Sequence, residues 1–72
     1  MPEFTDKIKA LRKDRNLTQK QLAAELGLNE RNYQHYEAGT QKPSYDGIVN
    51  LAKFFQVSAD YLLGLTDNPG RS

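Results

Sequence analysis

Near the start of the chain the apolar positions Phe4, Ile8 and Leu11 recur at intervals of three and four, with lysines and arginines between them. That spacing lines them up on one side of a helix, so Phe4 to Asn16 reads as an amphipathic first helix with Asp6 in its first turn. Thr18 with Gln21 three residues later is a capping-box pattern, and Leu22, Ala23 and Leu26 supply the apolar side of a second helix that Gly27 ends. Asn29 is a natural N-cap for a third helix reaching Ala38, with Gly39 just past it. Pro43-Ser44 opens a fourth, whose inward residues are expected to be Ile48, Leu51, Ala52 and Phe55. Ser58 caps a short fifth through Leu63, closed by Gly64. No stretch alternates apolar and polar with period two. The expected architecture is all-α: a compact five-helix domain over residues 1–65, then a flexible C-terminal tail, 66–72, whose Asn68-Pro69-Gly70 has turn composition and nothing to pack.

Within this pattern the stretch Thr18 to Gly39, TQKQLAAELGLNERNYQHYEAG, is two short capped helices joined by a tight glycine turn, the outline of a helix-turn-helix. Small residues suit a close crossing of the two helices: Ala23 lies mid-helix on the inner side and Gly27 opens the turn. At 100° per residue, Asn29, Tyr33, Tyr36 and the flank of Glu37 point one way, while Glu30, Arg31, Gln34, His35 and Ala38 point the other. The tyrosines are most simply core residues with their hydroxyls at its edge. The outer face is either a solvated surface or a face that enters a DNA groove, and the helical wheel leaves both open.

Seventy-two residues hold one domain with one small core. With no cysteine, neither a disulfide nor a thiolate metal site can staple it, so helix packing alone must hold the fold. The net charge of +1 is weak for a protein that neutralises phosphates, but its distribution is uneven. Residues 1–20 carry Lys7, Lys9, Arg12, Lys13, Arg15 and Lys20 against Glu3, Asp6 and Asp14, a net +3, and the remainder is −2. One side is therefore expected to be basic, unless these are ordinary solvated helix charges. Neither a signal-peptide pattern nor a membrane-length apolar run is present, so a soluble, cytoplasmic protein with no membrane partner is expected. A single histidine, no paired-carboxylate motif with metal-ligand spacing and no glycine-rich phosphate loop argue against an enzyme, a metal, a cofactor or a small-molecule ligand.

Three segments in order, LTQKQLAAELGL, YEAG with the following QKPS, and LAKFFQVSADYLLG, resemble the Xre-like, lambda-repressor-type (Cro-like) helix-turn-helix regulators of bacteria and phages. The resemblance spans about Ile8 to Asp67, and its motifs are specific in their joint spacing rather than singly. It implies sequence-specific binding of double-stranded DNA in the major groove by a cytoplasmic transcriptional regulator, most readily a repressor that blocks a promoter by occupancy. Gln19 matches a position that touches DNA backbone and sometimes a base, and Glu30, Arg31, Gln34 and His35 match base-reading positions. The chemistry suits them: Arg31 can donate twice to guanine, Gln34 can pair with adenine, Glu30 can accept from cytosine N4, and His35 can donate to guanine or phosphate. Glu30 admits two readings, exclusion of wrong sites by its charge or a favourable interaction with the helix dipole.

The resemblance also pairs Arg12 with Glu37 as a partly buried salt bridge between the first and third helices. Thr18, Lys20, Thr40, Gln41, Lys42, Ser44 and Tyr45, near helix starts or after the recognition helix, are the candidate phosphate contacts. Lys42 and Thr40 fit that role best, whereas Ser44 has the alternative of serving only as the fourth helix's cap. In such regulators dimers form through the C-terminal helices and place two recognition helices about 34 to 36 Å apart on a palindromic operator. Gln56, Ala59, Tyr61 and Leu65 are the candidates for a homodimer interface here, though the same apolar residues could finish a monomer's core. Two other functions use the same fold: a protein-interaction module that takes a toxin or antirepressor on its apolar C-terminal helices, and the DNA-binding fragment of a larger regulator.

Overall fold

The computed structural model describes residues 2–70 and holds five helices, α1 (Pro2–Asp14), α2 (Gln19–Glu25), α3 (Glu30–Ala38), α4 (Tyr45–Phe55) and α5 (Ala59–Leu62). The starts of α2 to α5 each have a local cause. Thr18, Asn29, Ser44 and Ser58 accept from the backbone N–H three residues on, at 3.0, 2.7, 3.1 and 3.0 Å, and Thr18 with Gln21 completes the capping box. These bonds satisfy donors that the first turn of any helix leaves unpaired.

The helix ends share one device. A residue with φ between 58° and 78° follows each last turn: Asn16, Gly27, Gly39, Gln56 and Gly64. After α2, Gly27 N–H donates to Ala24 O at 3.2 Å and Leu28 N–H to Ala23 O at 2.9 Å, the double closure of a Schellman motif. The same pair of bonds recurs after α1, α3, α4 and α5. It explains why α1 stops at Asp14 rather than running to Asn16: Asn16, at φ 58°, has already left the right-handed helix. It also corrects the expected part of Gly27. A Cβ there would meet nothing within 4 Å, so the glycine is needed for its left-handed backbone and not for close helix crossing. Ala23, by contrast, is buried against the core as expected.

α3 packs against α2 and α1, and α5 packs against α4 and α1. Between them lie Phe4, Ile8, Leu22, Ala23, Tyr33, Tyr36, Leu51, Phe55, Val57 and Leu62. Of the residues expected to face inward on α4, Leu51 and Phe55 are fully buried, and Ile48 and Ala52 are half-buried at the core's edge. Two cations, Lys7 on α1 and Arg15 just past its end, fasten the N-terminal segment to the C-terminal half. The Arg15 guanidinium donates to Phe54 O at 3.1 Å and Phe55 O at 3.3 Å, the free carbonyls at the end of α4, and sits 5.2 Å from both ring centroids. Lys7 Nζ lies 4.6 Å from the centre of the Tyr61 ring. With Arg12 bound to Glu37, three of the six basic residues in the first twenty act inside the fold, so the expected basic side is thinned to Lys9, Lys13 and Lys20.

The expectation that the tail has nothing to pack against is corrected for residues 66–70. Ser58 N–H donates to Pro69 O at 2.7 Å, Thr66 and Asn68 side chains accept from the N–H groups two residues on, and a Cβ at Gly70 would lie 3.0 Å from that of Ser58. The backbone amide of the α5 cap is otherwise unpaired, and the turn composition read as idle brings a carbonyl to it. Arg71 and Ser72 lie outside the described residues.

Gln56 holds a left-handed backbone that penalises a Cβ by about 1–2 kcal/mol. Glycine removes that penalty and restores about 0.5–1 kcal/mol of unfolded-chain entropy. Gln56→Gly is therefore expected to raise stability by up to about 1 kcal/mol in urea unfolding, and Gln56→Val to lower it.

Candidate nucleic-acid interface

The candidate site is one face of α3 and the start of α2. Along α3, Tyr33, Tyr36 and Glu37 are buried while Glu30, Arg31, Gln34, His35 and Ala38 are exposed, the division the helical wheel predicts. Tyr33 goes further inward than expected. Its ring is wholly buried, edge-on to Tyr36 with centroids 6.5 Å apart, and its hydroxyl is not at the core's edge but donates to Glu37 Oε2 at 2.5 Å.

Glu37 is the anchor of that buried face. Arg12 Nε donates to its Oε2 at 2.6 Å and Nη2 to its Oε1 at 3.2 Å, Gln19 Nε2 donates to Oε1 at 3.1 Å, and Tyr33 completes the set. An ionised carboxylate has about four acceptor directions; here all have donors, from three helices. Arg12 in turn donates Nη1 to Leu17 O at 2.8 Å, which pins the turn between α1 and α2. Burial pushes the Glu37 carboxyl up, but the bonds from Arg12, Tyr33 and Gln19 and the Arg12 charge outweigh it and hold the pKa below the ordinary carboxylate range. The same contact raises Arg12, against desolvation. Desolvation, then the bond to Glu37, pushes the Tyr33 hydroxyl well up. At neutral pH the cluster is thus a carboxylate, a guanidinium and a neutral phenol.

On the open side, Lys9, Gln19, Gln34, Glu37 and Ala38 line a shallow depression where α1, α2 and α3 meet. It brings Gln19 beside the α3 face. Gln34 Nε2 donates to Glu30 Oε2 at 3.3 Å, one turn apart, which gives Glu30 a role in steadying Gln34 in addition to the two read from the sequence. His35 Nδ1 lies 2.8 Å from Thr40 Oγ1, and Thr40 Oγ1 lies 3.4 Å from His35 O, so the base-reading and phosphate candidates at the end of α3 share one bond network. Arg31 is exposed on the same face.

The other phosphate candidates are placed unevenly. Lys20, Gln41 and Lys42 are exposed beside the starts of α2 and α4. Thr18 already gives its N–H to Gln21 Oε1 at 2.8 Å, so only its hydroxyl proton is left for a phosphate. Ser44 caps α4, and Tyr45, at that helix's first position, is 82% exposed. Of the dimer candidates, Leu65 is 73% exposed and Gln56 is exposed, whereas Ala59 and Tyr61 are half-buried. Gln56 and Tyr61 line separate depressions, the first with Gly70 and the second with Lys7 and Ala10 of α1. A cavity of about 120 Å³ lies between Leu26, Leu28, Tyr36 and Gly47, below the roughly 300 Å³ of an ordinary ligand pocket. Among the described residues no helix is long and apolar enough to cross a membrane, and no three His, Cys, Asp or Glu are grouped to hold a metal.

A family model described as helix-turn-helix matches residues 8–62. The chain is 44% identical over 66 residues to an HTH-type transcriptional regulator of Bacillus subtilis (strain 168), YobD, covering 92% of this chain and 59% of that one. It is 41% identical over 54 residues to the cryptic phage CTXphi transcriptional repressor RstR of Vibrio cholerae, covering 75% and 49%. It thus spans from about half to three-fifths of these relatives' length. Its fold is similar to that of the P22 c2 repressor protein, solved in complex with a synthetic operator, with a TM-score of 0.77 and 27% identity over 82% of this chain and 89% of that one.

Arg12 and Glu37 side chains are 12% and 3% exposed, so removing one partner strands a buried charge. Arg12→Ala is expected to lose about 3–5 kcal/mol in chemical denaturation; a loss under about 1 kcal/mol would mean that the pair behaves as a surface bridge. Because the folded pKa of Glu37 is depressed, its stabilisation is complete above the ordinary carboxylate range and is lost as pH falls through the folded value. Glu37→Gln should therefore flatten the acid limb of the stability profile relative to the parent protein, a difference read from unfolding midpoints between neutral and strongly acidic pH.

Proposed function

The chain belongs to the helix-turn-helix family, and on that premise we propose that it binds duplex DNA sequence-specifically in the major groove and regulates transcription by doing so. The observation that carries this is the α3 face: Glu30, Arg31, Gln34 and His35 point outward from a helix whose opposite side is locked by buried Tyr33, Tyr36 and Glu37. A helix with its side chains is roughly 10–12 Å across, so α3 can lie in a groove about 12 Å wide with its outer side chains toward the base edges. Arg31 takes guanine through two donated bonds and Gln34 takes adenine. Lys42, Lys20, Gln41, Thr18, Thr40, Ser44 and Tyr45 sit at the rim, where phosphate contacts set position rather than sequence.

Repression is the mode this reading favours, since a seated domain excludes polymerase by occupancy alone, and both RstR and the P22 c2 protein are named as repressors. Two copies on a palindromic operator, joined through Gln56, Ala59, Tyr61 and the exposed Leu65, would set two α3 faces one helical turn apart, about 34–36 Å. The site of action is the bacterial cytoplasm, in keeping with relatives from Bacillus and Vibrio.

Selection from randomised duplex DNA, then anisotropy titration of the enriched and scrambled sites at two salt concentrations, tests the reading. A palindromic motif preferred by at least ~10³-fold is expected; equal, weak, salt-sensitive binding to every duplex would contradict it. Arg31→Ala should lose about 1–3 kcal/mol on the selected site and relax preference at one base pair. Lys42→Ala should weaken binding alike on all sequences and reduce the salt slope by about 1; a loss confined to the selected site would remove Lys42 from the phosphate contacts.

A further inference from the structure

Gln19 has a fixed amide. Its Nε2 faces Glu37 Oε1 at 3.1 Å, and because a carboxylate only accepts, the reverse orientation would set the amide oxygen against a negative oxygen. Glu37 cannot turn to suit the other orientation, since Arg12 Nε, Arg12 Nη2 and the Tyr33 hydroxyl hold both of its oxygens and its side chain is only 3% exposed. One amide N–H is thereby taken. The carbonyl oxygen and the second N–H remain, on a residue that is only half-buried and lines the depression shared with Lys9, Gln34 and Ala38.

We propose that Glu37 is a positioning residue for base reading: its buried carboxylate sets the Gln19 amide so that Gln19 offers DNA one acceptor and one donor in a fixed order. An acceptor beside a donor is the pair that adenine's N6 amino group and N7 require, whereas a freely flipping amide presents either order. Fixing the amide beforehand also removes rotamer freedom that a solvated glutamine would lose on binding. The inference rests on the DNA-reading function proposed above and deepens it, because it assigns Gln19 a base, an orientation and the group that enforces it. Gln34 is not held in the same way, since its 3.3 Å bond to Glu30 is exposed on both sides.

The test has one arm without DNA and one with it. In ¹⁵N spectra of the parent protein, one Gln19 side-chain proton should be shifted downfield and exchange slowly, unlike the amide of exposed Gln41. Glu37→Gln should abolish that signature. The parent spectrum alone decides if this variant does not fold, and a Gln19 amide indistinguishable from that of Gln41 overturns the proposal. In the second arm, Gln19→Ala should lose preference for adenine at one base pair, and Glu37→Gln should lose it at the same pair by about tenfold with the remainder of the motif kept. Leu51→Ala, a core change in α4 away from the cluster, should lower stability and leave the motif intact. Loss of the same preference in Leu51→Ala, or none in Gln19→Ala, overturns the positioning role. A parent protein that enriches no motif overturns the DNA reading and this role with it, and the amide signal separates that failure from a missing anchor.

Discussion

A carboxylate taken out of water has to be given donors, and Glu37 receives four from α1, α2 and α3. Moving α1 or α3 from its place leaves that charge and the Arg12 guanidinium unpaired in a buried setting, where the penalty is several kcal/mol, and moving α2 deprives the carboxylate of the Gln19 donor. The orientation of α3 is thus set by polar geometry as well as by apolar packing. Apolar packing alone tolerates small slides of one helix on another, whereas two bonds from one guanidinium to one carboxylate do not. A helix that reads base edges needs that kind of constraint, because its outer side chains must arrive within bonding distance of atoms that cannot move toward them.

The cost falls on the protein's charge. Arg12, Arg15 and Lys7 serve the interior and its margins, through the Glu37 carboxylate, the carbonyls at the end of α4 and the face of Tyr61. Lys9, Lys13, Lys20 and Lys42 are left as exposed cations on α1, on α2 and after α3, on a chain of net charge +1. Non-specific attraction to DNA scales with phosphates neutralised, so under the proposed function a chain of this charge depends the more on the side chains of the α3 face.

Helix starts were legible in the sequence because an N-cap is a local device: Thr18, Asn29, Ser44 and Ser58 each satisfy an N–H three residues away, within reach whatever the rest of the chain does. The glycine-closed ends were legible for the same reason. Asn16 and Gln56 were not read as ends: asparagine enters the left-handed region more readily than most residues but is common elsewhere too, and glutamine carries no such signal. The outer face of α3 followed from periodicity. The cluster behind it did not: Tyr33 and Glu37 are four residues apart on one helix and so readable as neighbours, but Arg12 is 25 residues from Glu37 and was paired with it only through family resemblance. Gln19 was placed as a reader and not as a partner of Glu37, because nothing in its own segment reveals what lies across the turn. The seat of Pro69 on Ser58 was missed for a similar reason, turn composition saying how a segment bends and not what it bends onto.

The central claim is that a rigidly held α3 face is the surface that meets DNA. Backbone amide mapping of ¹⁵N-labelled protein on titration with its selected duplex tests it most directly. The account predicts large shifts along Glu30 to His35 and at Gln19, with lesser ones at Thr40 to Tyr45. Perturbations confined to α5 and Leu65, with α3 unmoved, would contradict it and make the C-terminal surface the interface.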